Sequence, residues 1–231
     1  MDPRTGRASG TKVPLSPPIP RLFWVTSDEV VASADFLDQA RAVMTAAGSA
    51  SAIQVRAHGL SGRRFYALAA RLRELSVETG AGFWVNDRVD VALALRADGA
   101  QLGHRSLPVG VSRRLLGRGC RIGSSVHDPW EAEARFAEGT DVAVLGNIYA
   151  TASHRERVPL GIGALRRACS SGRPIVAIGG ISPERVREVI DAGAWGVAVL
   201  SGVWRVADPT ATAARYARIL GEALGRDAMA R

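Results

Sequence analysis

Eight times between residues 21 and 202 a short apolar run ends in glycine, asparagine, histidine or serine, and a longer segment separates it from the next. The runs are RLFWVTS (21–27), ASAIQVR (50–56), GFWVND (82–87), GAQLG (99–103), CRIGSSVH (120–127), DVAVLGNIY (141–149), PIVAIGG (174–180) and WGVAVLSG (195–202). The segments between them carry helical spacing: Phe65, Leu68, Ala69, Leu72 and Leu75 fall on one face of a 3.6-residue repeat. Asp128-Pro129 and Ser182-Pro183 read as helix starts, and Gly139 and Gly193 as helix ends. Continuously apolar strands alternating with helices predict a parallel sheet covered on both faces. Eight such units in about 200 residues predict a closed (β/α)8 barrel, since open doubly wound sheets usually have fewer strands. The reading is an α/β protein with one domain over residues 21–222, a loose tail over 1–20 and a second tail over 223–231.

A barrel puts its chemistry where the strands end. All four histidines, His58, His104, His127 and His154, fall just after an apolar run. With them stand Gln54, Arg56, Asn86, Asp87, Ser125, Asn147, Thr151, Ser153 and Ser201. A lone histidine is more often packed or solvated than catalytic, and Ser125 and Asp87 could simply cap helices. As a set on one rim they predict a polar pocket. The turns AIGGIS (177–182) and VLSGV (199–203) follow the seventh and eighth runs, where barrels commonly bind phosphate. Glycine lets backbone approach a ligand and helix starts offer unpaired N–H groups, so Gly179, Gly180, Ser201 and Gly202 are the expected phosphate holders.

The formal charge of +8 raises the question of a polyanionic partner. Lys12 is the one lysine, the arginines are scattered, and no nucleic-acid-binding motif accompanies them, so a solvated basic surface without nucleic acid is expected. Cys120 and Cys169 lack metal-ligand spacing and read as reduced, packed thiols. No apolar run approaches the ~20 residues of a membrane helix, and the first 20 residues lack a signal-peptide core, so a cytoplasmic protein off the membrane is expected.

The stretches IQVRAHGLS, VNDRVDVALAL, ADGAQLGHRSLP, IGSSVH, LGNIYATASH, PLGIGAL, IVAIGGISPERV and GVAVLSGV, in that order, resemble the thiamine phosphate synthase and TenI thiazole tautomerase family over about residues 21–220. The resemblance implies a cytosolic barrel, often oligomeric, that binds a phosphorylated thiazole at its mouth. A synthase of this family joins an aminopyrimidine diphosphate to thiazole phosphate with Mg²⁺, and its pattern supplies two metal-binding aspartates and two lysines. This chain keeps Gln54, Arg56, Asn86 and Asp87, but has His58 and His154 for the lysines and Ser106 for the second aspartate. Histidine is mostly neutral near pH 7, so two cations and a carboxylate are gone together.

The resemblance therefore implies first a thiazole tautomerase with no cofactor, moving a proton within thiazole phosphate carboxylate. His127 is the preferred base, His104 the other candidate, and Asn147 a hydrogen-bonding partner. Gln54, Arg56, His58, Asn86, Ser125, Thr151, Ser153 and His154 would line the substrate. The alternatives are a divergent synthase holding Mg²⁺ at Asp87, and a non-catalytic binder of a phosphorylated ligand.

Overall fold

The computed structural model describes residues 16–151 and 158–229, the last four by backbone alone. The apolar runs become β1 (Leu22–Val25), β2 (Ser51–Val55), β3 (Gly82–Asn86), β4 (Gly99–Leu102), β5 (Arg121–Val126), β6 (Val142–Leu145), β7 (Ile175–Ile178) and β8 (Gly196–Val199). Every strand pairs in parallel with the next, and β1 pairs with β8, closing the ring. Between them run α1 (Asp28–Val31) and α2 (Phe36–Ala47), then α3 (Gly62–Thr79), α4 (Val89–Ala94), α5 (Val109–Leu116), α6 (Pro129–Ala137), α7 (Gly161–Cys169), α8 (Pro183–Asp191), α9 (Ser201–Trp204) and α10 (Pro209–Met229). The chain is a (β/α)8 barrel, as the eightfold recurrence predicts.

Strand side chains alternate between two faces, and both faces are covered, so the runs are apolar throughout. Leu22, Trp24, Ile53, Val55, Phe83 and Val85 point out beneath the helices and join their buried faces in one core. Phe23, Val25, Ala52, Trp84, Val142, Val144, Val176 and Ala198 fill the barrel interior as a second core. Trp84 and Phe23 meet edge to face with ring centroids 5.0 Å apart. The indole needs the space of a missing side chain opposite: a Cβ on Gly99 would stand 2.3 Å from Trp84 Cε2.

The helix signals are mostly used as read. Asp128 caps α6 by accepting the N–H of Glu131 at 2.8 Å, and Gly139 and Gly193 follow α6 and α8 with φ of 101° and 98°. Ser182 differs. It makes no side-chain cap bond to α8, and its hydroxyl goes instead to the Glu184 carboxylate, holding that acid below its ordinary range.

Packing extends past both edges of the 21–222 span, and residues 1–15 of the expected tail lie outside the described residues. Residues 16–20 close the bottom of the barrel. Ile19 packs against the inner core, its carbonyl accepts Trp195 Nε1–H at 3.3 Å, and Pro17 O accepts Arg121 Nε–H at 2.8 Å. At the other end α10 continues to Met229, with Leu220 and Ala223 buried, so the helix runs past residue 222. Cys120 and Cys169 are free thiols, pushed up to about 12 and about 11 by burial. No described helix is long and apolar enough to cross a membrane.

Candidate active site

The strands deliver polar side chains to the upper interior on one side only. Gln54 of β2 and Asn86 of β3 are nearly buried, and Gln54 Nε2 donates to Asn86 Oδ1 at 3.1 Å. Asn86 Nδ2 passes the chain on to Asp87 Oδ2 at 2.7 Å. The register aligns Asn86 with Gln101 of β4. Gln101 is 1% exposed, and its Nε2 donates to Ser125 Oγ of β5 at 3.0 Å. Across the barrel the wall stays apolar, with Val144, Ile178 and Leu200 in the inner core. The mouth thus has a polar arc over β2–β5 and an apolar arc over β6–β8.

Asp87 is the hub of the polar arc. It turns the chain out of β3 with φ of 61°, a conformation rare outside glycine. That turn carries its carboxylate to the loop after β4, where Oδ1 accepts the Gly103 N–H at 3.1 Å and the Ser106 hydroxyl. The His58 ring stands 3.7 Å from Oδ2. Burial lowers the His58 pKa first, the charges of Arg56 and Arg105 lower it further, and Asp87 and Asp28 only partly oppose them. His58 is therefore held toward its neutral form, with the Asp87 carboxylate beside its ring and Asp28 at its backbone. Its backbone is also fixed, because Asp28 accepts the N–H groups of His58 at 3.2 Å and Gly59 at 2.7 Å.

Arg56 is set by a residue that shows no functional signal in sequence. The buried Thr26 hydroxyl accepts the Arg56 N–H at 2.8 Å and donates to the Arg56 carbonyl at 2.9 Å, stitching the ends of β1 and β2 together. Thr26 and Gln101 both lie inside apolar runs and read as core. Strand alternation was the available signal, since it puts Gln101 on the same face as Gly99, toward the interior.

On the far rim His127 Nδ1 lies 3.2 Å from the carbonyl oxygen of Gly146. A carbonyl only accepts, so Nδ1 carries the hydrogen in that bond. Asn147 packs on Gly179, and its Nδ2 is buried without a partner among the described residues, as is Gln101 Oε1. Such orphans are uncommon in a folded interior. His127, Asn147 and the double-glycine turn are thus neighbours. His104 is exposed on the loop after β4. Thr151 is partly buried beyond the end of β6, while Ser153 and His154 lie outside the described residues.

Gly179 and Gly180 turn with φ of 99° and 63°, and a Cβ on Gly180 would strike the Ala150 carbonyl at 2.4 Å. The segment after β6 is zipped along this turn, with Ile148 N–H donating to Ile178 O at 2.9 Å and Tyr149 N–H to Gly179 O at 3.0 Å. Ser201 opens α9, and at Gly202 the Tyr216 hydroxyl lies 2.7 Å from where a Cβ would be. These glycines are required by the packing of the loops on one another.

Residues 22–203 match the family model described as thiamine monophosphate synthase. The chain belongs to this family. It is 44% identical over 195 residues to the thiamine-phosphate synthase of Methanoculleus marisnigri, covering 83% of this chain and 91% of that one. With the thiamine-phosphate synthase of Moorella thermoacetica it shares 41% identity over 182 residues, or 78% and 87% of the two chains. Thiamine phosphate pyrophosphorylase from Pyrococcus furiosus superposes with a TM-score of 0.78 at 34% identity, covering 89% of this chain and 97% of that one. Two of these relatives are synthases by name and the third a pyrophosphorylase. They favour the second of the sequence readings, the synthase, over the tautomerase placed first.

Proposed function

We propose that this chain is a thiamine-phosphate synthase: it joins hydroxymethylpyrimidine diphosphate to thiazole phosphate and releases pyrophosphate. The observation that carries the reading is the Gln54–Asn86–Asp87 hydrogen-bonded row beside Arg56, in a chain with relatives of that name at 36–44% identity. In this reaction the thiazole nitrogen bonds to the pyrimidine methylene carbon. The carbon–oxygen bond to the diphosphate breaks, and the electron pair leaves with the diphosphate. Catalysis then amounts to holding both rings in line and meeting charge that grows on the leaving group.

The residues suit those tasks. The amide nitrogen of Asn147 and the amide oxygen of Gln101 are a buried donor and a buried acceptor without a partner among the described residues, beneath the mouth. The apolar arc receives the flat face of a ring. Arg56, anchored by Thr26, and Arg105, whose charge reaches His58, bring positive charge to the Asp87 side. An arginine fork is well matched to phosphate oxygens. The backbone of the Gly179–Gly180 turn, with Ser201 and Gly202, would take the thiazole phosphate on the opposite rim.

Magnesium usually binds proteins through one or two carboxylates, completed by phosphate oxygens and water. Asp87 offers one hard carboxylate beside the Ser106 hydroxyl, so the donor set fits a magnesium ion shared with the diphosphate. Bound there, the ion would add charge neutralisation at the leaving group.

One observation favours the tautomerase as a second reading: the lysine position holds His58, and burial holds that side chain toward its neutral form. One pair of assays separates the two. Purified protein given both synthase substrates and Mg²⁺ should release pyrophosphate, and Asp87→Asn should cut the rate by about 100-fold or more. Loss of the exocyclic tautomer of thiazole phosphate carboxylate, with no pyrophosphate from the first mixture, would replace the synthase reading with the tautomerase.

A further inference from the structure

The double-glycine turn is held from behind. Arg185 of α8 donates from Nη1 to the Gly180 carbonyl at 2.6 Å, and the Tyr216 hydroxyl of α10 donates to the next carbonyl, Ile181 O, at 2.7 Å. Two consecutive carbonyls are thus tied to side chains on the outer helices. A trans peptide points its C=O and N–H in opposite directions. Fixing Gly180 O and Ile181 O outward therefore turns the N–H groups of Ile181 and Ser182 the other way. Neither N–H reaches an acceptor among the described residues. Successive N–H groups left free in a turn form a concavity that suits an anion.

Both clamps are themselves held. Arg185 lies over the Tyr149 ring, 4.3 Å from its centroid, and Tyr149 donates its hydroxyl to Glu188 at 2.7 Å. Tyr216 is fully buried, meets Trp24 edge to face at 5.9 Å, and fills the space that Gly202 leaves empty. Tyr216 thereby also joins the turn after β7 to α9 after β8.

We infer that Arg185 and Tyr216 are positioning residues that orient the backbone N–H groups of Ile181 and Ser182, at the end of the double-glycine turn, toward the phosphate of the thiazole substrate. The inference rests on the reading of this turn as the phosphate site. Neither side chain need touch the ligand. Each acts through one carbonyl, and the role predicts an effect confined to the phosphate.

The test uses the full chain as Tyr216→Phe, Arg185→Met and Arg185→Lys, with calorimetric titration of inorganic phosphate and steady-state kinetics. Tyr216→Phe keeps the ring and its packing and removes the hydroxyl alone. Each of Tyr216→Phe and Arg185→Met should weaken phosphate by about tenfold, the scale of one strong oriented hydrogen bond. KM for thiazole phosphate should rise by a similar factor with kcat little changed. KM for the thiazole alcohol, which lacks the phosphate, should stay where it is, and Arg185→Lys should recover part of the loss. Unchanged phosphate affinity in both variants, or equal losses for the phosphate and the alcohol, would overturn the inference. Wild-type protein that binds neither inorganic phosphate nor thiazole phosphate would remove the phosphate site itself. The pyrophosphate assay, which needs no variant here, reports separately on the synthase reading.

Discussion

His58 has the Asp87 carboxylate beside its ring and Asp28 at its backbone and is still depressed below its ordinary pKa, because burial and the charges of Arg56 and Arg105 outweigh Asp87 and Asp28. In the proposed synthase reaction, a histidine held toward its neutral form would therefore stand where the leaving diphosphate calls for charge. His58→Lys should restore that charge and lower KM for hydroxymethylpyrimidine diphosphate by about tenfold, about 1.4 kcal/mol. Initial rates of pyrophosphate release over a range of diphosphate concentrations measure it. An unchanged or higher KM in a folded variant would mean that the diphosphate does not lie against His58. At this scale the sequence was legible where a residue departed from apolar surroundings, as at Gln54, Arg56, Asn86 and Asp87. Thr26 and Gln101 stayed hidden because a buried hydroxyl or amide inside an apolar run looks like core until the register shows which way it points. Arg185 and Tyr216 stayed hidden for another reason: they sit on helices and act on backbone atoms, so no spacing marks them.

The strands were readable because burial on both faces forces every position toward apolar residues, and the helices because burial on one face leaves a 3.6-residue period. The exceptions inside strands are informative. Gly99 leaves room for the Trp84 indole, and Gly123 for the Gln101 amide, whose Oε1 lies 2.2 Å from where a Cβ would stand. Gly99→Ala would press a methyl group into the indole in the innermost part of the barrel. It should destabilise the protein by about 1–3 kcal/mol, read as a lower midpoint in urea with an unchanged slope. An unfolding free energy within about 0.3 kcal/mol of wild type would show that the inner core yields at little cost. What the elements did not disclose is their ends. The Ser182 hydroxyl chose the Glu184 carboxylate over the helix backbone, a competition that a cap motif alone does not decide.

Closure of the ring gives the molecule two unlike ends. The upper end holds the polar arc, the apolar arc and the double-glycine turn. The lower end is built for stability: Asp98 accepts the Phe83 N–H at 2.7 Å, Asp141 the Ile122 N–H at 2.7 Å, and residues 16–20 cover the opening. That cover was illegible in sequence because prolines and a single isoleucine show no periodicity. Only the closed barrel offers Ile19 an apolar surface. Ile19→Asp would set a carboxylate against the inner core. It should cost about 2–3 kcal/mol, or a Tm lower by roughly 4–12 °C for a chain of this size. A Tm within about 1 °C of wild type in a thermal scan would show that the segment adds nothing to closure.

In the proposed synthase reaction the two halves of the mouth serve two different substrates, with the pyrimidine diphosphate toward Asp87 and the thiazole phosphate toward Gly179 and Gly180. The most direct measurement is chromatographic detection of thiamine phosphate after the purified wild-type protein meets both substrates and Mg²⁺. Thiamine phosphate and pyrophosphate should appear in equal amounts, with no product when either substrate is withheld. No thiamine phosphate from the complete mixture, from protein that binds both substrates, would contradict the synthase reading.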